Sequence, residues 1–209
     1  MGILSGAIRL RRYQVLGEVP PGFRDAYEAA IRKHAFQEFA PGDDREEVLG
    51  WVPVDDWFDP SLHLDRWLVE NTVNLTLRVD TKRIPPRFLK QECRKLQSEW
   101  KLRSGREDLT RAERDEIETI VRKRLLERVI PSCQGIDLSW DLDRAEVLFW
   151  STGERVNEAF RSLFEKTFAV KLRPLFPYLL ALRALGEGKD EVADRVVPSV
   201  FRPEPEGAA

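Results

Sequence analysis

The spacing of hydrophobic residues changes several times along the chain, and each change predicts an element. Near the start, "AIRLRRYQV" alternates Ile8 and Leu10 with Arg9 and Arg11, a strand broken by Gly17 and "PPG". The period then lengthens. Phe23, Tyr27, Ala30, Ile31 and His34 recur at three- and four-residue steps and predict a helix over 23–36, ended by "APGDD". "EVLGWVPV" predicts a short strand stopping at Pro53, and "DDWFDPSLHLDRW" a loop or short helical turn. In "NTVNLTLRVDTKRI" Val73, Leu75, Leu77 and Val79 alternate with Asn74, Thr76, Arg78 and Asp80, a strand with one dry face.

Two helices follow. The first, over 87–103, carries Leu89, Cys93, Leu96 and Trp100 on one stripe and closes at Ser104-Gly105. The second opens at Thr110 with "TRAE", a capping box in which Thr110 and Glu113 satisfy each other's backbone donors. It carries Ile117, Ile120, Val121 and Leu125 and is stopped by Pro131. The short connection makes the pair an antiparallel hairpin. "IDLSWDLDRAEVLFW" predicts a β-hairpin turning at "DLDRA", "STGE" the start of a helix over 154–168, and "AVKLRPL" a last strand. "FPYLLALRALG" is a short helix or closing apolar segment.

The predicted order is β-α-β-β, helical hairpin, β-β-α-β. This is an α+β chain of two sheet-and-helix units with the antiparallel helical hairpin inserted between them. The boundaries are an N-terminal unit at 1–81, the charged hairpin at 82–131, a second unit at 132–185 and a loose tail at 186–209.

Composition narrows the class. The chain has 209 residues, 42% hydrophobic and 33% charged, which suits a folded core and argues against global disorder or a fibre. Apolar runs such as "YLLAL" are too short to span a bilayer, and the first residues lack the apolar region of a signal peptide. Cys93 and Cys133 have no Cys or His at metal-ligand spacing and are expected to be reduced structural thiols. No cofactor is expected, since no glycine-rich phosphate loop is present.

Charge is the feature that composition leaves unexplained. Lys82–Arg106 holds nine Lys/Arg and two Glu, a local +7 in a chain of net −2. Arg87 and Lys90 sit in a first helical turn, where the dipole prefers acids. In an antiparallel hairpin, Arg83, Arg87, Lys90 and Arg94 are expected to converge with Arg124 and Arg128 and their neighbours Arg122 and Lys123. At the far end Lys101, Arg103 and Arg106 meet Glu107, Asp108 and Asp115. The expectation is a polyanion site, with nucleic-acid backbone as the polyanion and no sequence reading, because no recognition-helix or finger signature is present.

The ordered set "GWVP" (50–53), "NLTLRVDTKRIPPRFLKQ" (74–91), a charged helical hairpin, "LLERVIP" (125–131), "IDLSWD" (136–141) and "KLRPL" (171–175) resembles the recombination-associated protein RdgC family over about residues 1–180. No one motif in the set is specific. The resemblance implies a non-enzymatic, nucleoid-associated cytoplasmic protein that binds double-stranded DNA as a homodimer and restrains strand exchange by RecA. By position, Arg128 matches the arginine of the family's "LL-x-R", Lys90 the lysine of its "[IL]-K-Q" step, and Arg106 falls near a basic residue of the hairpin. Ile130 stands where the best-known members carry an aromatic at a dimer contact. Typical members form ring-shaped dimers that encircle the duplex, and they extend further on the C-terminal side.

Two rival readings remain. Asp55, Asp56, Asp59, His63 and Asp65 gather in one loop, as a divalent-metal nuclease would require, although turn-forming Asp residues are the plainer explanation. Alternatively the basic hairpin docks on an acidic protein. Among the six tryptophans, Trp57 and Trp67 fall off the predicted dry faces and are candidates for stacking on bases or partner groups.

Overall fold

A computed structural model describes residues 2–3, 8–59, 61–186 and 195. The element order is β1 (Arg11–Leu16), α1 (Phe23–Lys33), β2 (Glu47–Val52), α2 (Leu64–Trp67), β3 (Leu68–Val69), β4 (Thr72–Thr81), α3 (Pro86–Ser104), α4 (Arg111–Leu126), β5 (Ser132–Asp141), β6 (Glu146–Phe149), α5 (Glu154–Phe168), β7 (Lys171–Leu175) and α6 (Pro177–Leu185). The class is α+β. Strands from before and after the helical hairpin join one antiparallel sheet in the order β2-β4-β5-β6-β1-β7, with β3 paired to β4. The first strand is therefore not beside its sequence neighbours. It sits between β6 and β7, with Tyr13 opposite Val147 on one side and Pro174 on the other. The tail expected to be loose at 186–209 lies outside the described residues except for Gly186 and Arg195.

The spine is the β4–β5 ladder, ten consecutive pairs from Thr72↔Asp141 to Thr81↔Ser132. Alternation puts Val73, Leu75, Leu77 and Val79 opposite Trp140, Leu138, Ile136 and Gln134 on one face. The helices α1 and α5 cover that face. Tyr27 and Ile31 come from α1, and Phe160, Leu163, Phe164 and Phe168 from α5. Trp140 stands among Tyr27, Phe164 and Phe168, with ring centroids 5.2–5.7 Å apart. Polar tips inside this core are satisfied at two points: Trp51 Nε1 donates to Thr167 Oγ1 at 2.9 Å and the Tyr13 hydroxyl to Asn157 Oδ1 at 2.6 Å. Trp67 is fully buried in the same core, which removes it as a stacking surface. No side chain caps α5. The Asn157 amide donates to the carbonyls of Gly153 and Ser151, which ties the helix to the preceding loop without serving its free N–H groups.

The second face is polar but covered along β4. Arg78, Asp80, Thr76 and Asp137 are buried there, and Thr76 Oγ1 donates to Asp137 Oδ1 at 2.6 Å. Phe36, Phe39 and Trp57 lie over this face and pack with Val48 and Val52 of the neighbouring strand β2. Trp57 lies against Gly135, where an added Cβ would meet its ring at 2.4 Å, so it too serves packing.

The hairpin leaves the sheet from the Thr81↔Ser132 end of the spine, where β4 passes into α3 and α4 returns to β5. Pro86 is pre-set for the first helical turn, and Gly105, at φ 65°, takes the left-handed cap that ends α3. The capping box at Thr110 and Glu113 is present with both of its hydrogen bonds. The seam between the helices is the expected one except at Ile120, which is half-buried outside the cluster, while Leu109 joins it. Cys93, Ile117, Val121 and Leu125 are buried, with Leu89, Leu96 and Trp100 against them.

Candidate functional site

Every cation expected at the site is at the surface. Arg83, Arg87, Lys90, Arg94, Arg124 and Arg128 are all exposed, and among the described residues none of the six has an ion-pair partner. Many other arginines of the chain are spent. Arg11 pairs with Glu154, Arg12 with Glu146, Arg106 with Glu113, and Arg122 with both Glu46 and Glu118. Lys95 pairs with Glu92 at 2.5 Å.

The six do not form one convergence. A shallow groove of about 170 Å3 runs between α3 and α4, and Arg124 and Arg128 line it opposite Glu92, Lys95 and Glu99. Arg87, Lys90 and Arg94 do not line it. At about 100° per residue they fall on the other flank of α3, together with the half-buried Lys101. The hairpin thus carries two cationic groups. One is a stripe of Arg87, Lys90, Arg94 and Lys101 along a flank of α3, roughly 21 Å from end to end at 1.5 Å per residue. The other is the Arg124/Arg128 pair in a groove that also holds two glutamates. Helix-dipole opposition at the start of α3 is as expected, since its first turn holds no acidic residue.

Compensation at the far end of the hairpin differs from the expected pattern. Arg106 is neutralised by Glu113, which belongs to the capping box, and not by Glu107, Asp108 or Asp115. The Thr110 backbone N–H first, then the Arg106 guanidinium and the Thr110 hydroxyl, hold the Glu113 carboxyl below the usual range. Lys101 and Arg103 have no ion-pair partner among the described residues. Lys82 counts toward the basic stretch in sequence but is buried at the root of the hairpin, so it adds nothing to either surface group.

The acidic loop is organised around Arg66. Its guanidinium reaches Asp55 at 2.8 Å and also pairs with Asp59. Asp59 in addition accepts from the Ser61 backbone N–H at 2.9 Å and the Ser61 hydroxyl at 2.7 Å. These bonds, the Ser61 backbone first, hold its pKa down at about 2. Asp56 accepts from the Phe58 N–H, a turn bond of the kind short acids make. His63 lies 3.1 Å from the Arg32 guanidinium. Among the described residues no cluster of three or more His, Cys, Asp or Glu is arranged to hold a metal ion.

Ile130, the expected dimer contact, is 89% exposed just beyond α4. An apolar side chain that open needs no partner by itself, but it is free to meet one. No described helix is long and apolar enough to cross a membrane. Compared with known families and proteins, the chain matches no family model and no curated protein.

Proposed function

We propose that the protein is a sequence-independent DNA-binding protein of RdgC type, which holds duplex DNA by its phosphates and restrains RecA-type strand exchange. The observation that carries the reading is the stripe of exposed Arg87, Lys90 and Arg94 and half-buried Lys101 on α3, without ion-pair partners among the described residues, in a chain of net −2. A rigid helix presents these cations in line, which suits a regular row of phosphates. Each contact releases condensed counterions, so affinity depends steeply on salt and little on base sequence. The acidic remainder of the surface disfavours other approaches and orients the duplex on the hairpin. Arg83 extends the stripe toward the sheet, and Arg124 and Arg128 form a weaker second contact because Glu92 and Glu99 share their groove. A homodimer joined through the region of Ile130 would present two hairpins to one duplex. The resemblance of the ordered motifs to the RdgC family points the same way, toward a cytoplasmic, nucleoid-associated role.

The test is a gel shift on several duplex sequences, with and without Mg²⁺, over a range of salt. The reading predicts retention of every sequence at low salt and release as salt rises. Absence of retention, or cleavage that needs Mg²⁺ and disappears in Asp55→Asn/Asp59→Asn, overturns it.

A further inference from the structure

A cavity of about 570 Å3 opens where the polar face of the sheet meets the root of the hairpin. Phe39 and Phe58 form its aromatic walls, and Arg78, Asp80, Lys82 and Cys133 its polar lining. That volume lies in the range of small-molecule sites, which combine an apolar lining with a few convergent polar groups.

The two cations of the lining differ. Arg78 is spent. Its Nε and Nη2 donate to the two Asp80 oxygens at 3.0 and 2.8 Å, and its Nη1 to the Trp57 carbonyl at 3.0 Å. The Phe36 and Phe58 rings lie 4.0 and 4.7 Å from the guanidinium. Lys82 is not spent. It is only 7% exposed, and its backbone is pinned by a bond from its N–H to the Glu46 carbonyl. Its ammonium sits 4.3 Å from the centre of the Phe39 ring and has no hydrogen-bond or ion-pair partner among the described residues. A lysine buried to this degree is almost always paired. The ring face offsets part of the lost hydration and leaves the charge without an anion. Glu38 and Glu127 also line the cavity but are exposed, where water and salt screen them, and neither pairs with Lys82.

We propose that this cavity binds a small organic acid, with the anionic head on the Lys82 ammonium and a flat apolar body against Phe39 and Phe58. The cation sits among buried groups while Phe58 is exposed, so the ligand enters head first.

Cys133 supplies a reporter, since it lines the same cavity and is exposed, whereas Cys93 is buried between α3 and α4 and serves as an internal control. Alkylation of Cys133 by neutral iodoacetamide would be followed by mass spectrometry while 2-naphthoate or the neutral naphthalene-2-carboxamide is titrated in. The carboxylate is expected to protect Cys133 at a concentration about tenfold lower than the amide, the scale of one charge-assisted hydrogen bond. In Lys82→Met the two probes should protect equally, and Lys82→Arg should restore the difference. Equal protection in the natural protein, or a difference that persists in Lys82→Met, overturns the proposal. If Lys82→Met fails to fold, the comparison of the two probes on the natural protein still decides it. The assay contains no DNA, so its outcome is independent of the hairpin reading.

Discussion

The sheet body and the helical hairpin place the same residue types differently. In the body, aromatic and aliphatic side chains from strands and helices along the whole chain share one core, Arg78 is paired by Asp80 and Arg66 by Asp55 and Asp59, and the exposed cations without ion-pair partners among the described residues, Arg9, Arg24, Lys33, Lys166 and Arg173, are spread over several elements. The hairpin is held by one seam between two helices and leaves many of its cations on the outside without partners. A body of this kind sets position. A two-helix arm has little core of its own, and it gains most from its surface. The difference is one of concentration: the hairpin and its root gather six exposed, unpaired cations that neither its packing nor its internal electrostatics requires, and the proposed DNA contact rests on that gathering.

The comparison breaks most readily at the cores. Trp140→Ala should cost about 3–5 kcal/mol, measured by urea unfolding, because the indole is fully buried among three aromatic rings. Ile117→Ala, equally buried in the hairpin seam, should speed amide exchange in α3 and α4 and leave β4 and β5 protected. Equal loosening of the β4–β5 ladder by both substitutions would mean that the two regions are one cooperative unit.

A smaller effect tests the polar face of the sheet. Gly135→Ala drives a methyl into the Trp57 ring, 2.4 Å away, and should cost about 1–3 kcal/mol with a change in tryptophan fluorescence. Within the hairpin, Thr110→Ala removes the cap of α4 and should cost about 1 kcal/mol, seen as faster exchange in the first turn of α4 alone.

The smallest effect is a pH dependence in the acidic loop. The Asp59 carboxyl is depressed to about 2, so its contribution is fully present above the unfolded value of about 3.9 and is lost as pH falls through about 2. Stability of the natural protein and of Asp59→Asn should therefore differ at neutral pH and converge toward that lower limit. A constant difference would mean that Asp59 contributes through its shape and not through its charge.

Periodicity made most elements legible, because helix and strand spacing are written locally: the seam of Leu89, Cys93, Leu96 and Trp100, the Thr110 cap and the α5 range all follow their spacing. Two strand boundaries do not. Ile8 and Leu10 alternate well, yet β1 begins at Arg11, where pairing with Phe149 starts. β5 begins at Ser132, four residues before its dry-face pattern, because β4 is there to pair with it. The union of both halves in one sheet rests on the β4–β5 ladder across the hairpin and on pairing between β1 and strands more than 130 residues later, which no local pattern records. For the candidate site, residue type and the α3 stripe of Arg87, Lys90, Arg94 and Lys101 were legible from helical spacing, but the flank taken by Arg124 and Arg128 was not. Arg124 and Arg128 lie across from Glu92 and Glu99, a fact set by how the two helices rotate on their seam. Burial of Lys82 was hidden for a related reason. Its neighbour in sequence, Arg83, is a surface cation, and the ring that covers its ammonium comes from the distant loop at Phe39.

The central claim is that the α3 stripe carries the phosphate contacts. It is tested most directly by the slope of log affinity against log salt for duplex DNA, measured on the natural protein, on Arg87→Glu/Lys90→Glu/Arg94→Glu, and on Arg124→Glu/Arg128→Glu, with circular dichroism confirming the fold of each. The account predicts that the triple reversal lowers the slope by about 0.9 for each phosphate no longer neutralised and weakens binding alike on all sequences. The groove pair should have the smaller effect. An unchanged slope in a folded triple variant, or a larger drop in affinity from the groove pair, would contradict it.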